Sequence, residues 1–142
     1  MQLNTSSRVA DRFWGVFAVF MKVLVAEDEP LIRLGMTLVI EEAGYQVVEV
    51  GNTDDALRAI ESEGDVGLLL TDVDMPGSMD GIRLAHTVRH RWPTIQLIVV
   101  SGKVGVKPGE LPEGARFLSK PYQGPKLLET VKVLTEAGRA KP

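Results

Sequence analysis

Three carboxylates, a hydroxyl and an ammonium close successive apolar runs of this sequence. Glu27-Asp28 follow Val23-Leu24-Val25-Ala26, and Asp72 ends the run begun by Val66-Gly67-Leu68-Leu69-Leu70. Ser101 ends Ile95 to Val100, and Lys120-Pro121 come shortly after Ala115-Arg116-Phe117-Leu118. Carboxylates packed together repel, so a proton or a cation must neutralise them. A hard divalent ion with oxygen ligands is the natural partner. Mg²⁺ suits best, because it needs few protein ligands and keeps several waters; Mn²⁺ is the expected substitute. The metal and Lys120 would gather positive charge around one carboxylate, which stabilises a phosphoryl group and the charge it develops in transfer. Aspartate is a competent acceptor and forms an acyl phosphate. Taken singly, each acid reads as a helix cap or a solvated loop residue. The joint occurrence of all five groups at matching run ends is not explained that way.

Their convergence depends on the elements between them. The apolar runs, with Gln46-Val47-Val48-Glu49-Val50 as a further one, read as strands, and their continuous apolar character suits a parallel sheet covered on both faces. Amphipathic stretches alternate with them. Pro30 to Ala43 opens with a helix-starting proline and is followed by Gly44. Thr53 to Glu63 has Thr53 as the expected N-cap, with Asp54 and Asp55 suited to the positive end of the helix dipole. Asp80 to Trp92 ends before Pro93, and Gly124 to Ala137 ends before Gly138. Alternating strands and helices with right-handed crossovers predict an α/β fold, a doubly wound five-stranded parallel sheet of flavodoxin-like order 2-1-3-4-5. In that order the first and third strands are neighbours at the switch point, so Glu27, Asp28 and Asp72 meet beyond their carboxyl ends. The stretch from Gly102 to Gly114 carries two prolines and is rich in glycine, which makes a regular helix costly there. The fourth helix is expected to be short or replaced by a loop with at most one turn.

Length and composition bound the rest. The chain has 142 residues, 44% hydrophobic and 25% charged, which is one domain with one core. It has no cysteine, which excludes a disulfide framework, a thiolate zinc site and a cysteine nucleophile and fits a reducing compartment. A formal net charge of -3 argues against a broad nucleic-acid surface. No phosphate-cradling glycine motif of the GxGxxG or GxxxxGK[ST] kind occurs. Residues 1–20 read as an N-terminal extension, disordered or not native, ahead of a domain spanning 21–142. The apolar run from Phe13 to Met21 resembles part of a signal peptide, yet no small-residue cleavage site follows, and a membrane helix needs about 20 apolar residues. A helix docking Trp14 and Phe17 on the domain or a partner is the other reading of that stretch. His86 and His90, four apart on the third helix, read as a solvated face, Trp92 as packing on the sheet, and Leu84 and Val88 as core.

Several motifs together resemble the receiver domain of bacterial two-component response regulators. They are Val23 to Pro30, Asp72-Val73-Asp74-Met75-Pro76 with Met79-Asp80-Gly81, Ser101-Gly102, and Phe117-Leu118-Ser119-Lys120-Pro121-Tyr122, and the resemblance covers Met21 to about Ala137. It implies Asp72 as the phosphoacceptor. It implies Asp28, Asp72 and the backbone carbonyl of Asp74 as Mg²⁺ ligands, with Glu27 acting through water or a salt bridge. Lys120 is implied to pair with the phosphoryl group, with a cis bond to Pro121. Ser101 is implied as the switch hydroxyl and Phe117 as the aromatic that turns inward with it. The amides of Asp74 and Gly102 are implied to contact phosphoryl oxygens. A sensor histidine kinase or a histidine phosphotransfer protein would be the donor and a downstream protein the target. The chain would be a cytoplasmic signalling protein, monomer or weak dimer, without nucleic-acid or membrane partners, and not an enzyme beyond its own phosphotransfer and slow autodephosphorylation. With no room for an output domain, it resembles a single-domain, CheY-like receiver acting by protein contact or as a phosphate sink or relay. The run from Gly114 to Tyr122 also resembles receivers that accompany or are fused to hybrid sensor kinases.

Three features depart from the family pattern. Gly77-Ser78 lengthen the segment from Asp72 to Gly81 by one residue, which should reshape the loop above the site without moving Asp72. Asp74 places an acid beside the acceptor and is expected to alter the dephosphorylation rate. The degraded fourth helix puts in doubt the output face that the family builds there. Two rivals remain: a Mg²⁺-dependent phosphatase-like enzyme using Asp72 as nucleophile on a small substrate, and a pseudo-receiver that binds partners without phosphorylation.

Overall fold

The computed structural model describes residues 21–102 and 106–140; the extension 1–20, with its Trp14 and Phe17, and residues 103–105 lie outside the described residues. Five strands, β1 (Lys22–Ala26), β2 (Gln46–Val50), β3 (Val66–Asp72), β4 (Gln96–Ser101) and β5 (Arg116–Ser119), form one sheet in the order β2-β1-β3-β4-β5. All pairings are parallel, as the continuous apolar runs require. The helices are α1 (Pro30–Glu42), α2 (Thr53–Glu63), α3 (Gly81–Arg91) and α4 (Gly124–Ala140).

Side chains alternate across the sheet and divide the core in two. Val23, Val25, Leu68, Leu70, Ile98 and Val100 face one way and pack with Met36 and Ile40 of α1 and Leu127, Val131 and Leu134 of α4. Leu24, Ala26, Leu69, Leu97 and Val99 face the other way and pack with Ala56 and Ile60 of α2 and Leu84, Ala85 and Val88 of α3. Full burial of each such Val or Leu contributes about 1.5–3 kcal/mol, so the three central strands are the rigid floor of the molecule. Trp92 packs partly buried against the second cluster, with the Arg91 guanidinium 4.3 Å above its ring.

Between β4 and β5 the described residues make only a 3-10 turn at Pro108–Glu110, as the prolines and glycines there predict. Val106, Leu111 and Ala115 still cover the core, and the turn is tied to α3 by a hydrogen bond of 2.7 Å between His86 Nε2 and the Glu110 carbonyl. His86 is therefore exposed, but it is also the anchor of this segment.

Two local expectations are corrected. The N-cap of α2 is Asn52, whose side chain accepts from the Asp55 amide at 2.7 Å; Thr53 is the first helical residue and is buried. Helix α4 runs through Gly138 to Ala140. A helical glycine costs about 1 kcal/mol, too little to stop a helix whose preceding turn is held by buried Leu134 and Thr135.

Candidate functional site

The first strand ends where the acids begin. The Glu27 amide still donates to the Val50 carbonyl at 3.1 Å, and Arg33 Nη1 donates to the Glu27 carbonyl at 2.8 Å. This double hold turns the Glu27 side chain inward, where it is fully buried, and leaves Asp28 exposed at the rim. Asp72 is the last residue of β3 and is 5% exposed. One carboxylate oxygen from each of Glu27, Asp28 and Asp72 lies within 4.8 Å of the others.

Lys120 enters from the end of β5. Its amide donates to the Ser101 carbonyl at 2.9 Å, which continues the β4–β5 pairing one step further, and its bond to Pro121 is cis. Its ammonium lies 2.9 Å from Asp72 Oδ2 and 3.4 Å from Glu27 Oε1. The Lys120 ammonium thus pairs with two of the three carboxylates. The donor set is all oxygen, partly buried and open to water at Asp28, which fits a small hard divalent ion that keeps some of its waters.

The electrostatics follow from burial. Desolvation pushes the Glu27 carboxyl above its ordinary value of 4.5; its hydrogen bond with Asp28 and the Asp72 charge push the same way, while the Glu29 amide and Lys120 oppose. Burial alone would lower the Lys120 ammonium, but its bond to Asp72 and the charges of Asp72 and Glu27 outweigh that and hold it above 10.5. A folded-state pKa raised above the unfolded value means that the folded chain holds the proton more tightly, so Glu27 stabilises the fold below pH 4.5 and loses that contribution as pH rises through its raised value. Without divalent metal, stability should fall as pH climbs through the range above 4.5, and saturating Mg²⁺ should flatten that fall. Urea midpoints measured across this range with Mg²⁺ and with chelator check it. A midpoint that rises with pH in chelator would contradict it.

The other sequence-predicted residues lie on the neighbouring strands and loops. Ser101 ends β4 and is 1% exposed; Gly102 follows it and packs near the Lys120 stem. Phe117 pairs with Val99 in the β4–β5 register, on the same sheet face as Ser101. It is 38% exposed, its ring beside a cavity of about 250 Å³ lined by Val106, Leu111, Pro112 and Ala115. The side chain is thus only partly covered. Asp74 is exposed on the loop after β3.

Sequence reasoning missed three things around this site. Gly81 opens α3 so close to β3 that a Cβ there would run into the Asp72 carbonyl oxygen, and its amide donates to the Val73 carbonyl at 2.9 Å. Leu31, Ile32, Leu34 and Leu38 of α1 are exposed, Leu31 by 84%. The signal for them was a helix apolar nearly all round, Pro30-Leu31-Ile32 to Val39-Ile40, where one buried stripe needs only Met36 and Ile40. The third is the attachment of the loop after β3 to α2, described below. Among the described residues no helix is long and apolar enough to cross a membrane.

Comparison with known proteins agrees with this architecture. Residues 23–132 match the family described as the response regulator receiver domain. The response regulator receiver protein CpdR of Brucella abortus is 35% identical over 104 residues, covering 71% of this chain and 85% of CpdR. The sensor kinase CckA of the same organism is 36% identical over 118 residues, covering 80% of this chain but only 12% of that much longer protein. Among solved structures, a CheY-like receiver domain protein from Methanospirillum hungatei superposes with a TM-score of 0.76 at 25% identity, covering 84% of this chain and 97% of that one. With the parallel sheet in the order 2-1-3-4-5 and the acids at its carboxyl edge, this chain belongs to the response regulator receiver domain family.

Proposed function

We propose that this chain accepts a phosphoryl group on Asp72 from the phosphohistidine of a sensor kinase or phosphotransfer protein, and signals by contact with another protein or serves as a phosphate sink or relay. The observation that carries the proposal is the Lys120 ammonium held 2.9 Å from Asp72 Oδ2 beside two further carboxylates. A carboxylate oxygen of Asp72 attacks phosphorus and forms the acyl phosphate as the phosphorus–nitrogen bond to the donor histidine breaks. Asp28 and Asp72, with the Asp74 carbonyl, would hold Mg²⁺, with Glu27 acting through water, and the metal would supply charge neutralisation on the phosphoryl oxygens. Lys120, now shared between Asp72 and Glu27, pairs with the incoming phosphoryl group, and the Asp74 and Gly102 amides donate to its oxygens. Ser101 and Phe117 carry the change to the surface, biasing a two-state equilibrium.

The apolar face of α1 belongs to the donor. Leu31 stands three residues after Asp28, so a protein bringing phosphohistidine to Asp72 meets Leu31, Leu34 and Leu38 at the rim. The receiver unit runs over residues 21–142, and its place is the cytoplasm, where ATP charges the donor histidine.

Acetyl phosphate and Mg²⁺, followed by intact mass, test the proposal. The wild-type chain should gain one phosphoryl group and Asp72→Ala none. No gain with any donor would leave a pseudo-receiver, and sustained turnover of a small phosphoester would point to a phosphatase.

A further inference from the structure

The loop from Val73 to Asp80 is anchored to a helix that carries none of the acids at the site. The Ser78 amide donates to Asp54 Oδ2 at 3.1 Å and the Ser78 hydroxyl to Asp54 Oδ1 at 2.7 Å. Beside them the Thr53 amide donates to the Pro76 carbonyl at 3.2 Å, and the Thr53 hydroxyl donates to the Met79 carbonyl at 3.0 Å. Gly77 makes the approach feasible. Its φ is 124°, and a Cβ there would run into the Thr53 hydroxyl. Asp54 is not spent on capping its own helix, because Asn52 does that. Its carboxyl is held below the ordinary carboxylate value, chiefly by the two bonds from Ser78.

The other end of the loop is pinned as well. The Val73 amide donates to the Val100 carbonyl at 3.0 Å, and the Val73 carbonyl receives the Gly81 amide at 2.9 Å. Asp74 and Met75 are all that lies between this end and the segment tied to α2 at Pro76. A backbone oxygen intended for a metal binds more tightly when its position is set in advance, since no ordering cost remains at the moment of binding.

We propose that Asp54 is a positioning residue: by gripping Ser78 it fixes the backbone at Asp74, and so strengthens Mg²⁺ binding at a site it does not touch. The inference rests on the phosphoacceptor reading above and deepens it.

Calorimetric titration of the unphosphorylated full chain with Mg²⁺ alone tests it. Ser78→Ala changes no charge and should weaken Mg²⁺ by about threefold or more, whereas Ser78→Thr, which keeps the hydroxyl, should bind as wild type. Asp54→Ala should weaken it further. Asp55→Ala removes the same charge from the same helical turn without touching the loop, and so measures the long-range electrostatic share of that loss. The double variant Asp54→Ala/Ser78→Ala should be no weaker than Asp54→Ala alone, because both remove one contact. Ser78→Ala binding as tightly as wild type, or Asp54→Ala no weaker than Asp55→Ala, overturns the proposal. Should the wild-type chain take up neither Mg²⁺ nor a phosphoryl group from acetyl phosphate, the phosphoacceptor reading fails too. Normal uptake in the wild type with variants that match it defeats only the positioning role.

Discussion

Gly81→Ala should lower the stability of the domain by about 3 kcal/mol or more and abolish phosphoryl uptake together. The added methyl group would sit against the Asp72 carbonyl, which is backbone in a central strand and cannot swing aside as a side chain would. Relief requires α3 to back away from the sheet. That would break the bond from the Gly81 amide to Val73 and loosen the seating of Leu84, Ala85 and Val88. The fall in melting temperature should be on the order of 10 °C for a domain of this size, and the urea midpoint should drop with little change in slope. The same substitution at Gly35 is the control. It lies in the exposed interior of α1 with nothing within 4 Å of the new methyl group, so alanine there should be neutral or stabilising by about 0.5–1 kcal/mol. Equal midpoints for Gly81→Ala and wild type would refute the close approach of α3.

Lys120→Met should cost the chain at least about 100-fold in the rate of phosphoryl uptake from acetyl phosphate, since it removes the fixed cation aimed at the acceptor. Its effect on stability has a size that depends on conditions. In chelator at neutral pH the variant leaves Glu27 and Asp72 buried and facing each other without the ammonium, a loss of about 1–2 kcal/mol once the partial exposure of Lys120 is allowed for. Lys120 opposes the upward push on Glu27, so without it that carboxyl is raised further and stability falls more steeply with pH. Acidification should therefore narrow the gap to wild type, and so should Mg²⁺ at high excess, which brings the carboxylates the positive charge that the variant lacks. In the wild type the raised Lys120 contributes stability below pH 10.5 that is lost as pH rises through its folded value. Urea unfolding of both proteins at neutral and acidic pH, with and without Mg²⁺, separates these effects. A variant as stable as wild type in chelator at neutral pH would mean that the cluster is already neutralised by bound protons.

The sequence was most informative where burial and chemistry coincide. Val23 to Ala26 and Leu68 to Leu70 announce central strands because both faces of each are covered, and the acids were visible as the abrupt end of those runs. Handedness then put Glu27, Asp28 and Asp72 together. The clasp over the loop after β3 stayed hidden because it is polar, exposed and distant in sequence. Asp54 and Ser78 are 24 residues apart, and neither carries a pattern that separates a clasp from two solvated side chains. Asn52 and Thr53 are both good capping residues, and tertiary contact with Met79 decides which one turns into the core. The partial exposure of Phe117 goes with a cavity whose walls come from a segment without a helical or strand pattern in the sequence.

The hydrogen bond of 3.1 Å between Tyr45 and Thr135 joins the residue before β2 to the far part of α4, and Met21 packs in the same cluster as Tyr45 and Leu134. The chain therefore enters and leaves this fold at one pole, and Asp72 lies at the other. A unit with neighbouring doorways can be spliced into a larger polypeptide as a cassette without distorting its host, which suits a domain that matches both most of CpdR and a small fraction of CckA.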